Sequence, residues 1–222
     1  MHKVYFYVPN VIGYIRIVLN LSAFYFILHK PLLTVALHFT GGIFLDVADG
    51  VSARYLKQCS RFGDLLDFLL DRCGRVGMMM ALCVCYPQYL FVLQLLVCLE
   101  VAGCFSNHYR CTLMTQPNSI LQKKMCSYDP WLMRIFFREP FLTLIIFGQD
   151  LCVAMLYLLH FSPGPIVSVA GTSCSLWVML AYIGAPFLIY RQVVVCGLLL
   201  VNSFRDMARL DQKDPRRNTK VE

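Results

Sequence analysis

The chain has 222 residues, of which 58% are hydrophobic and only 15% charged, yet its formal net charge is +7. Soluble domains carry roughly 45–50% apolar residues, so this composition excludes an ordinary soluble fold and predicts an all-α polytopic membrane protein embedded in a lipid bilayer. The basic excess must sit in loops or polar cavities, where anionic headgroups or phosphates are its natural partners; no basic arm or nucleic-acid motif is present, so no nucleic acid is expected.

In chain order, the opening MHKVYFYVPN lacks the basic region and small-residue cleavage site of a signal peptide, and the first hydrophobic helix is expected to direct insertion. VPNVIGYIRIVLN reads as a short interfacial helix leading into the first span, with Pro9 tolerated near a helix start. Asn10 and Arg16 are polar in this apolar setting. Arg16 either snorkels to the headgroups or faces a polar chamber supplied by later segments. Taking about 20 apolar residues per span, six transmembrane helices are expected near 10–29, 32–53, 64–85, 88–108, 139–160 and 172–204. Pro31, Pro87 and the SPGP run at 162–165 supply the breaks, and Gly184 with Pro186 predicts a kink in the last span.

Glu100 falls in the middle of the fourth span and is either functional or a hydrogen-bonded structural acid. The eleven cysteines show no zinc-like CxxC spacing and are read as buried free thiols. A polar connector runs from Arg110 to Arg138, and His108 before it is an interfacial residue rather than a metal ligand. Arg134 and Arg138, four apart, share one helical face. They either anchor the fifth span or form a basic wall that orients a polar acceptor. The tail beyond Leu210 is expected to be a solvated helix end followed by disorder over 210–222, and residues 1–222 are read as one domain without internal repeats. Basic residues Arg54, Lys57, Arg61, Arg110, Lys123, Lys124, Arg205 and Arg209 fall on one side of the six-span arrangement, with Lys30 as the exception, which places both termini in the cytosol.

The stretch 46–71 carries the chemistry. Asp46 and Asp49 stand three apart and Asp67 and Asp71 four apart, so on two helices each pair shares a face. Facing each other, the pairs form an oxygen-lined box suited to hard divalent cations such as magnesium or manganese, two of which would cancel the four negative charges and bind phosphates. Gly50 and Ala53 keep the adjoining face bare, so that a nucleotide can lie against the helix, and Arg54 offers a guanidinium to phosphate. Ser60 is placed to cap Gly63 at the next helix or to bind a diphosphate, and Gly63 lets helices approach closely. The alternative from another class is the ion site of a metal-coupled transporter.

Asp46, Asp49, Gly50, Ala53, Arg54, Gly63, Asp67 and Asp71 match D-x2-D-G-x2-A-R-x8-G-x3-D-x3-D, by which the chain resembles the CDP-alcohol phosphotransferases. Over nearly its whole length it is similar to one branch, the eukaryotic phosphatidylinositol synthases, through VPN-x-IGY-x-RIV, SRFGDLLDFLLDRC, LMRIFFREP, LLHFSPGP and RDMARLD. The resemblance implies transfer of the phosphatidyl group from CDP-diacylglycerol to myo-inositol with release of CMP, in the endoplasmic reticulum or Golgi membrane, at a site facing the cytosol. It implies that two ions, Mg2+ or Mn2+, are held by Asp46, Asp49, Asp67 and Asp71, with Asp71 also the catalytic base, and that the enzyme is a homodimer. Substrate contacts are expected from Gly50, Ala53, Arg54, Ser60, Arg134 and Arg138. Another acceptor, such as glycerol phosphate, serine, choline or ethanolamine, is the alternative within the family.

Overall fold

The computed structural model describes residues 2–114, 138, 141–169 and 172–213. A short 3-10 turn, His2–Phe6, precedes helix α1, Val8–Phe26. No separate interfacial helix forms: Pro9 lies in the first turn of α1, where its missing N–H costs nothing, and the helix continues unbroken. Helix α2, Pro31–Phe39, passes through a π-helical segment, Thr40–Phe44, into α3, Leu45–Tyr55. Helix α4 is Arg61–Cys85 and α5 is Leu90–Met114, which extends past the end expected at residue 108. After α6, Phe141–Phe161, strands β1, Ile166–Val169, and β2, Thr172–Ser175, pair antiparallel with Ile166 opposite Ser175. The last span therefore begins at Leu176 rather than 172, because the β-branched run IVSV and its partner TSCS form a hairpin before helix can start.

Helix α7, Leu176–Ile189, contains Pro186. Proline donates no hydrogen bond to the preceding turn, and the ladder shifts register as a π-helical segment, Tyr190–Cys196, before α8, Gly197–Lys213. Gly184, named with Pro186 for a kink in this span, sits at a close helix contact. A Cβ there would lie 2.7 Å from the Gly148 carbonyl oxygen and 2.8 Å from the Cys152 Cβ, so it permits close helix packing. The tail expected to be disordered from residue 210 is still helical to Lys213, and the remainder lies outside the described residues.

Among the described residues four stretches are long and apolar enough to cross a membrane: Pro31–Tyr55, Pro87–Leu113, Phe141–Phe161 and Leu176–Gln212. The protein is an integral membrane protein. Its distribution of side chains inverts that of a soluble protein: Tyr25, Phe91, Tyr182 and Val201 are exposed, whereas Arg16, Glu100, Gln149, Gln192 and Asp206 are buried. The ten described cysteines are free, but only Cys85, Cys104, Cys152 and Cys196 are buried, and Cys73 and Cys98 sit on outward helix faces.

The chain divides into two compact units, Met1–Leu93 with Val153–Ala181, and Gln94–Cys152 with Tyr182–Glu222. In the first, α1 packs against α2, α3 and α4. Small residues allow the approach: a Cβ on Gly13 would lie 2.7 Å from Leu66, and one on Gly77 would meet the Phe24 ring at 2.2 Å. In the second, Ile145, Val195 and Leu199 form an apolar core with Leu142, Phe187 and Tyr190 packed on it. The mid-span Glu100 is fully buried here and receives two hydrogen bonds from Arg191, at 2.5 and 2.9 Å, while Arg191 also donates to Gln149 at 2.7 Å.

Candidate active site

The turn between α3 and α4 sets the site's frame. Helix α3 closes with a left-handed residue, Lys57 at φ 54°, whose N–H donates to the Arg54 carbonyl while the Gln58 N–H donates to that of Ala53. This places the Gln58 side-chain oxygen 2.9 Å from the Val8 N–H, capping α1. It also presents Ser60 to α4, where its hydroxyl accepts from the Gly63 N–H at 3.0 Å, as expected of an N-cap. Gly63 permits a close approach to α1: a Cβ there would be 2.8 Å from the Asn10 side-chain oxygen. Asn10 is itself buried and donates to the Val4 carbonyl. One loop thus fixes the starts of two helices.

With α3 and α4 so held, the four motif aspartates converge, and they converge on Arg16. Its Nη1 lies 2.6 Å from Asp49 Oδ2 and 2.6 Å from Asp67 Oδ1, and its Nη2 lies 2.9 Å from Asp46 Oδ1 and 2.7 Å from Asp71 Oδ1. The Nε donates to the Gly41 carbonyl at 2.9 Å. Of the two placements open to Arg16 in sequence, the structure therefore takes the chamber. The second oxygen of Asp71 faces Arg75 at 3.2 Å and Arg72 at 3.9 Å. Exposure divides the box: the Asp49 and Asp71 side chains are 12% and 18% exposed and form its floor, while Asp46 and Asp67, at 35% and 47%, form its open rim.

Beside the rim lies a cleft of about 490 Å³ including its mouth. Asp49, Gly50, Ala53, Ser60, Gly63 and Asp67 line it, together with Pro9, Asn10 and Gly13 of α1 and Gln58 of the turn. Gly50 and Ala53 form part of its wall. Arg54 is exposed and folds back along α3, its guanidinium nitrogens 3.7 and 3.8 Å from where a Gly50 Cβ would be. Arg138 is an exposed residue just before α6, in the second unit, and Arg134 lies outside the described residues. Sequence spacing alone assigned no role to Asn10, Gly13 or Gln58. A signal for the α1 residues exists, since Asn10, Gly13, Arg16 and Asn20 recur at helical spacing and are all buried on one face.

A box of carboxylates beside a cleft walled by small residues can hold cations against a phosphate-bearing ligand. The donor set suits a hard divalent ion: one oxygen each from Asp46, Asp49 and Asp67 lies within 4.8 Å of the others.

Comparison with known proteins agrees with this chemistry. Residues 6–202 match the family model described as CDP-alcohol phosphatidyltransferase. The chain is 35% identical over 193 residues to a CDP-diacylglycerol-inositol 3-phosphatidyltransferase of Drosophila melanogaster, covering 86% of this chain and 81% of that protein. It is 32% identical over 213 residues to the Homo sapiens protein of the same name, covering 96% of each. The Schizosaccharomyces pombe protein of that name is 29% identical, covering 99% of this chain and 96% of its own length. No solved structure matches the chain.

Proposed function

Because the chain belongs to the CDP-alcohol phosphatidyltransferase family, we propose that it transfers the phosphatidyl group of CDP-diacylglycerol to myo-inositol, giving phosphatidylinositol and CMP. The observation that carries this reading is the convergence of the four motif carboxylates on one point, with Asp49 and Asp67 also lining the cleft walled by Gly50, Ala53 and Gly63. The family is generally dependent on divalent metal. Asp46, Asp49, Asp67 and Asp71 would hold two ions, Mg2+ or Mn2+, and their chemistry is charge neutralisation at the diphosphate and on departing CMP. Gly50 and Ala53 leave room for the nucleotide, and Arg54 and Ser60 reach its phosphates. Asp71 takes the proton from the attacking inositol hydroxyl. As the new O–P bond forms, the bond from phosphorus to the CMP oxygen breaks and that oxygen leaves with the electron pair.

Six spans follow if α1 and α4 also cross the bilayer. Both are 19 residues or longer; Asn10, Arg16, Asn20 and Arg75, which lower their hydropathy, are buried, and Arg16 meets Asp67 and Asp71 while Arg75 meets Asp71. Arg54, Lys57 and Arg61 at the α3–α4 turn support a cytosolic site and cytosolic termini. The family match runs unbroken across both compact units, which supports a single catalytic domain. An endoplasmic reticulum or Golgi location and a homodimer complete the reading on the strength of the family resemblance, and Arg134 and Arg138, four apart in sequence, are its candidates for contacting the acceptor.

The test is CMP release by purified protein given labelled CDP-diacylglycerol and a panel of alcohols. Inositol-dependent release is expected; release with glycerol phosphate, serine, choline or ethanolamine instead would reassign the acceptor, and no release with any alcohol would overturn the enzyme reading.

A further inference from the structure

Arg16 sits where the site's chemistry would place a cation, and it is not a surface group passing by. It is 1% exposed, its Nε is tied to the backbone at Gly41, and its two terminal nitrogens contact all four motif carboxylates between 2.6 and 2.9 Å. We propose that Arg16 is a tethered internal cation that holds the aspartate box assembled and competes with divalent ions for the same oxygens. This rests on the reading of the box as a metal site.

Three observations carry the inference. The first is overlap of ligands. A magnesium-sized ion binds oxygen at about 2.1 Å, and the Asp49 and Asp67 oxygens that could supply it already share the Arg16 Nη1 at 2.6 Å. An ion on those oxygens and the guanidinium would be like charges only a few ångströms apart, so each disfavours the other. The second is the charge balance. Arg16, Arg72 and Arg75 all lie within 4 Å of these aspartates, three formal cations against four carboxylates, so the box holds no formal excess of positive charge to repel a further cation. The third is origin. Arg16 belongs to α1, whereas the carboxylates belong to α3 and α4, so one side chain gathers both arms of the motif from a third helix. Four carboxylates in so apolar a protein would otherwise drive α3 and α4 apart before an ion arrived.

Metal loading therefore exchanges one cation for another. The guanidinium loses charge-assisted hydrogen bonds to the carboxylates, and the ion must bind strongly enough to offset that loss. Arg16 thus sets a threshold for occupancy while keeping the ligands in place, which makes it a positioning residue for the known motif rather than a participant in bond making.

The decisive measurement is Mn2+ binding to the full-length purified protein, followed by the electron paramagnetic resonance signal of free Mn2+, for the wild type, Arg16→Gln and Arg16→Lys. Arg16→Gln is expected to bind Mn2+ roughly tenfold tighter or more, the equivalent of one charge-assisted contact no longer opposed. Its thermal midpoint should fall in chelator and recover with Mn2+, and Arg16→Lys, which keeps the charge, should return the affinity towards wild type. If Arg16→Gln unfolds in chelator, it is purified in Mn2+ and its affinity read by chelator competition. A purely structural role gives unchanged or weaker Mn2+ binding in Arg16→Gln, and that result overturns the proposal. No Mn2+ binding by the wild type would instead remove the metal-site reading beneath it.

Discussion

The pair Glu100 and Arg191 offers a quantitative test of what holds the second unit together. Glu100 comes from α5, Gln149 from α6 and Arg191 from the π-helical segment, so one buried polar contact joins three elements. Both charged groups are buried, at 0% and 3% exposure, and the guanidinium meets the carboxylate through two parallel hydrogen bonds. Removing either partner strands the other charge where no water can solvate it, at a cost of about 3–5 kcal/mol. That is a large share of the roughly 5–15 kcal/mol by which a typical protein is stable. Arg191→Met and Glu100→Gln should each lower stability by about that amount. The double variant strands no full charge, and should lose only about 1–3 kcal/mol, mainly for the Gln149 oxygen left without its donor. Thermal unfolding in detergent, read as a double-mutant cycle, measures the coupling. If the two single losses add in the double variant, the pair is not coupled and the buried-clamp account is wrong.

Two other predictions follow from the same geometry. Asp71→Asn should reduce inositol-dependent CMP release by at least about a hundredfold, the usual contribution of a positioned base, while CDP-diacylglycerol still binds; turnover near the wild-type rate would remove Asp71 as proton acceptor. Gly103→Ala should destabilise by about 1–3 kcal/mol, because its Cβ would lie 2.6 Å from the Cys196 carbonyl oxygen and 3.0 Å from its Cα, backbone atoms that cannot rotate away. At this chain length that is a fall of several degrees, on the order of 2–4 °C per kcal/mol, whereas Gly197→Ala, with nothing within 4 Å of its Cβ, should cost nothing; equal midpoints for both variants would refute the packing argument.

The motif was legible in sequence because its information is local. Spacings of three and four put each aspartate pair on one helix face, and Ser60, three residues before Gly63, announces its own cap. Span counting from hydropathy is less direct for a physical reason: α1 carries Asn10, Arg16 and Asn20 and α4 carries Asp64, Asp67, Asp71, Arg72 and Arg75, and an average over the sequence cannot tell an inward polar group from one facing lipid. The strands Ile166–Val169 and Thr172–Ser175 are not legible in sequence because each is only four residues, too short for an alternating pattern to stand out beside a proline-rich turn.

Arg16 and Glu100 mark the boundary between the two kinds of information. A charge in an apolar stretch needs either water, headgroups or a partner, so both residues stand out in sequence, Arg16 as an anchor or a chamber residue and Glu100 as a functional or a hydrogen-bonded structural acid. Which contact each makes depends on tertiary placement. Arg16 was open to two readings because a helix position fixes a face but not what that face meets, and its partners lie 30 to 55 positions onward. The partner of Glu100 lies 91 positions away, in a segment whose register was reset by the π turn after Pro186. An ideal α-helical count does not carry through that segment, because a π turn takes more residues than an α turn, so the direction of the Arg191 side chain follows from the π register rather than from sequence spacing.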